Sequence, residues 1–405
     1  MRMLLKLAWR NVWRNRLRSV IIAAAVAIGL WAALFLMAFY YGMIAQRVET
    51  VIQEESSHLQ LHAPGFLADL EPRLHLHDAD EVAATIRQRP AVRQVAPRVI
   101  VQGMLMSAAG SAGVRCSGVE PAAEDSTTHL SGKLVEGSYF DPAKKNGILI
   151  SMQQAKKLKL KLRSKVVLMA QDTTGEITSG AFRVQGIYRT INTPYDEMNV
   201  FITRSAAAEL LGVPGACHEL AVVLRANDAI ATEKASLQQR FPAIEVKDWM
   251  ETNPEAELMV TSFDSMMLVF TLIIFLGLAF GLLNTMLMAV LERTREIGML
   301  VSIGMGRARL FVMILLETLM VSLVGCPVGL GLALLTIGYA QRHGIDLRAF
   351  AEMGSSFGFD LVVHPAITAR HVWNILVLVF STALLSAAYP AAKALTIKAA
   401  EAIRK

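Results

Sequence analysis

The chain contains four long stretches with almost no charged side chains, and this pattern dominates its sequence. They are residues 19–46, 265–291, 310–341 and 371–392, and the third contains a single charged residue, Glu317. A helix needs about 20 residues to cross the roughly 30 Å hydrocarbon core of a bilayer, and every stretch is that long. The pattern therefore predicts four transmembrane helices, one near the start of the chain and three near its end.

The first stretch resembles a cleaved secretory signal only in its position. Such signals have an apolar region of about 7 to 15 residues followed by a small-residue cleavage site. This stretch is longer and ends in Phe39, Tyr40 and Tyr41, which are aromatic residues typical of a membrane interface. We therefore interpret it as an uncleaved transmembrane helix.

A polar region, residues 47–264, separates the first predicted span from the second. Alternating apolar stretches typical of strands flank a helical stretch at each of its ends. This order indicates a split ferredoxin-like unit (about 47–109 and 216–250) around a β-rich insert (about 110–215). The predicted fold class is an α-helical membrane protein with a one-plus-three arrangement of spans and a large α+β extracytoplasmic domain between helices 1 and 2.

Charge is distributed unevenly around the predicted spans. The chain is 54% hydrophobic and 18% charged with a net charge of +6, which excludes disordered and disulfide-scaffold proteins. Lys and Arg are concentrated in residues 1–18, 292–309 and 393–405, whereas residues 342–370 contain three Arg. The positive-inside rule then predicts that both termini are cytoplasmic and that residues 47–264 and 342–370 are periplasmic. The basic balance therefore reflects membrane topology, and no nucleic-acid partner is expected.

Residues 1–18 are predicted to form an amphipathic helix on the cytoplasmic leaflet. Their basic side chains recur every four residues, opposite an apolar face that includes Trp9 and Trp13. Residues 292–307 are predicted to form a second cytoplasmic helix between spans, and residues 393–405 a cytoplasmic tail.

Motifs for catalysis and nucleotide binding are absent from the sequence. It has no GxxxxGK[ST] phosphate loop, no HExxH, no CxxC pair and no GxSxG elbow. We therefore expect no catalytic residue, metal or cofactor in this chain. Four histidines in the external region lack acidic or Cys partners at ligand spacing, so we interpret them as ordinary surface histidines. They are His58, His62, His75 and His77.

Two cysteines, Cys116 and Cys217, lie in the external region, where oxidation is possible. Their separation along the chain leaves open whether they form a disulfide. The third, Cys326, lies within a predicted span and is interpreted as a small packing residue.

The segment ERTREIGMLVSIGMG, residues 292–306, is the most specific motif in the chain. A charged turn precedes an apolar face that includes Ile297, Leu300 and Val301, and Gly304 permits the left-handed conformation that ends a helix. A short helix with an exposed apolar face at the cytoplasmic end of a bundle is suited to bind a protein partner. The alternative is a simple connector helix at the membrane interface.

Three segments of the sequence resemble signatures of ABC-transporter permeases of the MacB, FtsX and lipoprotein-releasing type. They are LAWRNVWRNRLRS, ERTREIGMLVSIGMGRARL and YPAAKALTIKAAEAIRK, in this order along the chain. The resemblance implies a non-catalytic permease of the type VII, mechanotransmission class. It implies a second permease subunit, identical or different, and two copies of a cytoplasmic ATPase that bind ATP and Mg. The ATPase-coupling residues that it implies are Glu292, Arg293, Arg295, Glu296, Ile297, Gly298, Leu300 and Gly304.

Within this family, the external region resembles the lipoprotein-releasing LolC/LolE branch more than the efflux branch. The stretches that carry this resemblance are GVEPAAEDS, KLVEGSYF and FRVQGIYRTINTPYDEMNVFI. In that branch a projecting loop, the hook, binds a periplasmic acceptor chaperone. An ordinary hairpin between two strands is the alternative. The matching residues here are Thr190, Ile191, Asn192, Thr193, Pro194, Tyr195 and Asp196.

The branch resemblance implies extraction of lipoproteins from the inner membrane and their transfer to a periplasmic acceptor. Their acyl chains would enter an apolar groove formed by the first two spans. Alternatives are MacB-like efflux of periplasmic substrates and FtsX-like regulation of a cell-wall hydrolase. The expected location is the bacterial inner membrane, as a multi-pass protein in contact with membrane lipid.

Polar and small residues within the spans also predict contacts. A carboxylate inside a membrane is costly, but Glu317 lies about two turns from the cytoplasmic charges, so we interpret it as a structural hydrogen-bonding residue. Gly277 with Gly281, and Gly325 with Gly329, have the GxxxG spacing that permits close helix packing.

Overall fold

The computed structural model describes residues 2–14, 16–141, 146–350 and 360–396. Most of the predicted tail 393–405 and part of the predicted loop 342–370 lie outside the described residues. The chain forms two compact units. A helical unit comprises Met1–Ile44, Thr261–Asp346 and Val362–Lys405, and an α/β unit comprises Ala45–Val260 and Leu347–Leu361.

The α-helices of the described residues are numbered in chain order. They are α1 (Arg2–Arg14), α2 (Arg16–Thr50), α3 (Phe66–Asp69), α4 (Ala79–Arg87), α5 (Pro121–Thr128), α6 (Met152–Lys157), α7 (Thr193–Met198), α8 (Arg204–Leu210), α9 (Ile230–Arg240), α10 (Trp249–Thr252), α11 (Pro254–Glu292), α12 (Thr294–Ser302), α13 (Arg307–His343) and α14 (Ala369–Leu395). A π-helix, Val51–Ser56, follows α2 directly.

Four helical segments of the described residues are long and apolar enough to cross a membrane. They are Arg16–Ser56, Ala256–Glu292, Arg307–His343 and Ala369–Leu395. Each contains one of the four uncharged stretches, so the predicted one-plus-three arrangement of spans is confirmed.

Small residues bring α2 and α13 into close contact. A Cβ atom added at Gly325 would lie 2.6 Å from the carbonyl oxygen of Ala23, and one at Gly329 would lie 2.5 Å from that of Ala27. The predicted GxxxG pair of α13 therefore packs on a small-xxx-small pair of α2. The other predicted pair, Gly277 and Gly281 of α11, has no heavy atom of the described residues within 4 Å of such a Cβ atom.

The α/β unit is built on one ten-stranded sheet. Its path runs β10-β1-β9-β2-β3-β8-β5-β7-β4, and β6 pairs with β2 and β7. The strands are β1 (Leu59–His62), β2 (Val92–Ser107), β3 (Gly110–Val119), β4 (Leu134–Gly137), β5 (Gly147–Ser151), β6 (Lys165–Gln171), β7 (Ile177–Tyr188), β8 (Asn199–Thr203), β9 (Glu219–Leu224) and β10 (Glu245–Asp248). A separate two-stranded sheet pairs β11 (Ile345–Asp346) with β12 (Val362–Val363).

Two β-α-β segments form one end of the large sheet. They are β1-α4-β2 and β9-α9-β10, and their strands are antiparallel neighbours, as in a ferredoxin-like unit divided by an insert. The long strand β2 joins the two parts, because it pairs with β9 through Val92–Arg98 and with β3 through Arg98–Ser107. The unit therefore has one continuous sheet, whose two largest apolar cores lie in the insert and in the ferredoxin-like part.

Three cysteines are buried free thiols in the part of the chain that the structure describes. Cys116 belongs to the core of the insert and Cys217 to that of the ferredoxin-like part. Burial raises the pKa of Cys217 to about 12 and raises that of Cys116 as well. Both external thiols are therefore protonated and unreactive at neutral pH.

A buried ionic network joins α5 to the sheet. Arg98 of β2 donates two hydrogen bonds of 2.8 Å to the carboxylate of Glu124. It donates a third, of 2.7 Å, to Glu219, its cross-strand partner on β9. Arg115 also contacts Glu219, at 3.4 Å. Burial alone would raise the pKa of Glu219, but Arg98 and other nearby positive groups bring it below its ordinary value. The charges therefore neutralise one another inside the unit.

We expect Arg98→Met to destabilise the α/β unit by about 3–5 kcal/mol, because it removes the buried ion-pair partner of Glu124 and leaves Glu219 with only the longer contact to Arg115. The measurement is denaturant unfolding of the purified chain in detergent, followed by near-ultraviolet circular dichroism. Arg73→Met is the control, since Arg73 is largely exposed, its partner Glu71 is partly exposed, and surface pairs contribute at most about 1 kcal/mol. Equal stability of the two variants would contradict this role of Arg98.

We expect Gly329→Leu to lower the thermal stability of the detergent-solubilised helical unit, because its Cβ atom overlaps the α2 backbone. Overpacking of this kind costs about 1–3 kcal/mol or more. The matched substitution Gly281→Leu lies on an open face of α11 and should leave the melting temperature unchanged. A similar loss in both variants would argue against the packing of α13 on α2.

Candidate functional site

The predicted coupling segment forms a separate short helix between two spans. α11 ends at Glu292, Arg293 adopts a non-helical conformation, and α12 follows. Gly304, with a φ of +98°, ends the connection in the left-handed region that favours glycine. Residues 292–307 thus contain the shorter helix α12, Thr294–Ser302, with a break on each side.

The apolar face of α12 is mostly turned inward, which corrects the expectation of an exposed face. Ile297 is buried in the core of the helical unit, and Leu300 and Val301 pack against that core. The exposed apolar side chains are Met299 and Ile303. Of the other predicted coupling residues, Gly298 is buried, Arg293 and Glu296 are partly buried, and Glu292, Arg295 and Gly304 are exposed.

Ion pairs join the coupling segment to the amino-terminal helices. Glu296 of α12 contacts Arg14 of α1 and lies 3.5 Å from Arg293. Glu292, the last residue of α11, contacts Arg18 of α2. Two helices, α1 and α2, are thus connected to the coupling segment by charge.

Glu317 extends this cluster into α13. Its carboxylate accepts a hydrogen bond of 2.5 Å from the side-chain amide of Asn11, and Arg293 contacts both carboxylate oxygens at 3.3 Å. Asn11 belongs to α1 and Arg293 to the start of the coupling segment. The interpretation of Glu317 as a structural hydrogen-bonding residue agrees with these contacts, and we call this group, with Glu292, Glu296 and their partners, the Glu317 cluster.

The predicted acceptor-binding segment contains the start of α7. Where the resemblance implies a projecting loop, the structure has a six-residue helix in contact with α6, β3 and β8. Asn192 is its N-cap and accepts a hydrogen bond from Tyr195 N at 3.3 Å. Asn192 and Asp196 are buried, Pro194 is exposed, and the remaining residues are partly buried. These are Thr190, Ile191, Thr193 and Tyr195.

Asp196 forms hydrogen bonds within the predicted acceptor-binding segment. Its carboxylate accepts hydrogen bonds from the backbone N–H of Thr190 at 3.1 Å and from the Thr190 hydroxyl at 2.8 Å. Burial raises the pKa of Asp196 to about 6, although the bonds from Thr190 oppose this shift. The segment is therefore ordered by its own hydrogen bonds, and Pro194 is its exposed point.

A second buried carboxylate cluster lies at the end of the first span. Glu55, on the π-helix, accepts hydrogen bonds from Arg47 at 2.7 Å, from the Asn192 amide at 2.8 Å and from the Asn253 amide at 3.1 Å. The adjacent Glu54 pairs with Lys133 at 3.2 Å. Sequence reasoning missed this Glu55 cluster, and two adjacent Glu after an apolar stretch were the only available signal.

The external histidines lie in the ferredoxin-like part of the sheet. His58 and His62 are buried, so their interpretation as surface histidines is wrong. Burial lowers the pKa of both; a hydrogen bond with Asn227 opposes this shift at His58, and nearby Glu219 opposes it at His62. Among the described residues, no group of three or more His, Cys, Asp or Glu is arranged to bind a metal ion.

Two protein families match separate parts of the chain. The MacB-like periplasmic core domain matches residues 19–240. The FtsX-like permease C-terminal family matches residues 268–399. The first match alone covers more than half of the 405 residues, and the second covers most of the last three spans.

Curated relatives include two ATP-binding/permease proteins. The pyoverdine export ATP-binding/permease protein PvdT of Pseudomonas savastanoi pv. phaseolicola is 28% identical over 349 residues, which cover 81% of this chain and 50% of that protein. The macrolide export ATP-binding/permease protein MacB of Agrobacterium fabrum is 24% identical over 352 residues, which cover 82% of this chain and 52% of that protein. The chain thus spans about half the length of the curated relatives it matches.

Similar solved structures include the periplasmic region of MacB from Actinobacillus actinomycetemcomitans. It is 13% identical and covers 53% of this chain and 97% of its own, with a TM-score of 0.37. The extracellular domain of the transporter YknZ is 14% identical and covers 47% of this chain and 99% of its own, with a TM-score of 0.34. Because the MacB-like match covers more than half of the sequence and the FtsX-like match follows it, this chain belongs to the MacB/FtsX-type family of ABC-transporter permeases.

Proposed function

We propose that this chain is the permease subunit of an ATP-driven mechanotransmitting transporter that extracts lipoproteins from the bacterial inner membrane. Coupling to an ATPase is supported by the Glu317 cluster, since Glu317 connects the coupling segment to α1 and α13. The lipoprotein part is supported by the resemblance of the external stretches to the lipoprotein-releasing branch. Both termini are then cytoplasmic, and α7 lies in the periplasm.

A cytoplasmic ATPase would act on this chain through α12. Met299, Ile303 and Arg295 are exposed there, and an apolar contact flanked by charge suits a protein partner. Because α11 and α13 are continuous helices that begin or end beside α12, a displacement of α12 moves both. Two ATPase copies would supply ATP and Mg, and a second permease subunit, identical or different, would complete the transporter.

Extraction of a lipid anchor requires an apolar surface that receives the acyl chains. Each CH₂ group that leaves the bilayer costs about 0.8 kcal/mol, so an unassisted extraction of several chains costs tens of kcal/mol. α11 carries exposed apolar side chains along its length that could receive them. They include Leu268, Leu272, Ile273, Leu276 and Phe280.

A second candidate function is efflux of periplasmic small molecules. The names of the relatives favour it, since one is a pyoverdine export and another a macrolide export protein.

The deciding experiment reconstitutes the permease with its ATPase in proteoliposomes that carry a radiolabelled lipoprotein. ATP-dependent release of lipoprotein to a soluble acceptor supports extraction. A full ATPase cycle without release, together with copurification of a periplasmic adaptor, would favour efflux.

We expect Glu296→Lys to uncouple ATP hydrolysis from lipoprotein release. The substitution places a third positive charge beside Arg14 and Arg293. Because a charged contact is lost, we expect lipoprotein release to fall about tenfold. ATPase activity and lipoprotein release are measured on the same reconstituted sample. The charge-swapped variant Arg14→Glu with Glu296→Lys is the control and should restore release. Unchanged release in Glu296→Lys would show that α12 is a simple connector.

We expect Pro194→Arg to weaken acceptor binding about tenfold or more, because loss of a central interface residue has an effect of this size. ATPase activity should stay intact. Pro194 is the exposed residue of the segment, so the substitution leaves the buried contacts of Asn192 and Asp196 in place. The measurement is a pull-down with the periplasmic acceptor. Ile177→Arg, at an exposed apolar position of β7, is the matched control. Acceptor binding by Pro194→Arg at the level of the control would remove the segment from the interface.

A further inference from the structure

The Glu55 cluster brings together three segments that are distant in sequence. Arg47 lies near the end of α2, Asn253 directly precedes α11, and Asn192 caps α7. The side chain of Glu55 is only 7% exposed, so its three hydrogen bonds form away from solvent. The Glu55 carboxylate thus contacts Arg47 near the end of the first span, Asn253 just before the second, and Asn192 within Thr190–Asp196.

Asn192 uses both ends of its side-chain amide. Its Oδ1 accepts the hydrogen bond that begins α7, from Tyr195 N, and its Nδ2 donates to Glu55. Because the amide group is planar and rigid, a shift of Glu55 displaces the cap of α7 directly. An aspartate at this position would keep the cap but could not donate to Glu55.

The backbone around Glu55 is unusual for an ordinary connection. A π-helix is rare and is frequently found at functional sites. It is followed by Ser57 with a φ of +61°, a conformation that non-glycine residues seldom adopt. Arg47 Nε of the cluster and Oε2 of the adjacent Glu54 are buried without a hydrogen-bond partner among the described residues. Backbone strain and unpaired buried atoms cost free energy, and such features are concentrated at functional sites.

The structure also leaves room beside the cluster for α7 to move. A cavity of about 310 Å³ lies against the sheet, and its lining includes Glu55, Asn192, Tyr195, Asn253 and Arg115. A cavity lined by polar groups can be filled by water. A shift of α7 into this space therefore does not require the apolar core of the unit to open.

From this geometry we propose that Glu55 is the positioning residue through which the segments adjoining the first two spans set the conformation of Thr190–Asp196. The inference rests on the proposed function, in which ATP-driven movement enters the external unit through these spans. When the adjoining ends of α2 and α11 move, Glu55 moves with Arg47 and Asn253. Its bond to the Asn192 amide then moves the N-cap of α7 and changes the presentation of Pro194.

The experiment measures hydrogen–deuterium exchange of residues 190–198 in the full permease with its ATPase in nanodiscs. Exchange is compared between the nucleotide-free state and a state trapped with ATP by a hydrolysis-deficient ATPase. We expect the wild-type chain to differ between the two states. In Glu55→Gln and Asn192→Ser this difference should fall about tenfold, as expected for loss of a charge-assisted hydrogen bond. ATP hydrolysis by the active ATPase with Glu55→Gln should stay within about twofold of the wild-type rate.

The variants separate positioning from stability. Serine caps a helix about as well as asparagine, so Asn192→Ser keeps α7 intact but removes the side-chain amide that donates to Glu55. Glu54→Gln is the matched control on the same π-helix, since Glu54 pairs with Lys133 instead, and it should keep the wild-type difference.

The outcomes distinguish this inference from the proposed function. A wild-type difference that survives in Glu55→Gln and Asn192→Ser, or that Glu54→Gln abolishes equally, would overturn the role of Glu55 alone. An absence of any difference in the wild-type chain, with ATP hydrolysis intact, would overturn both the role of Glu55 and the mechanotransmission that it serves.

Discussion

The hydrocarbon core of a membrane gives no partner to a charge or to an unpaired backbone group, and the rest of this structure depends on that constraint. It requires the four spans to be helical and nearly free of charge. The charged side chains of α2, α11 and α13 are therefore concentrated near the helix ends. There they pair with charged side chains of other segments, and these pairs form both the Glu317 cluster and the Glu55 cluster.

The two clusters share one design. Each centres on a carboxylate with little exposure, Glu317 in one and Glu55 in the other, that accepts hydrogen bonds from several segments. A buried carboxylate is costly unless it is fully paired. The segments around each carboxylate are therefore expected to move together, since moving one alone would leave a charge unpaired. This makes the ends of the helices suitable places to transmit movement.

Local sequence predicts the boundaries of the coupling segment but not the direction in which its side chains point. Gly304 and the charged turn at Glu292 mark the helix ends through short-range effects. Ile297 is buried because α12 packs against the helical core, which periodicity alone cannot indicate. The same limit explains His58 and His62. Alternation predicts a strand with one exposed face, whereas β1 is an interior strand buried along its whole length.

The sequence by itself determined the four spans, the external α/β unit and the family, because hydrophobic transfer depends on local composition and accumulates along each helix. The tertiary structure decided which charged and amide groups meet. Asn11 and Glu317 are 306 positions apart, and Glu55 and Asn253 are 198 apart. The partners of a buried carboxylate are chosen by how segments pack in three dimensions, and no local pattern records that choice.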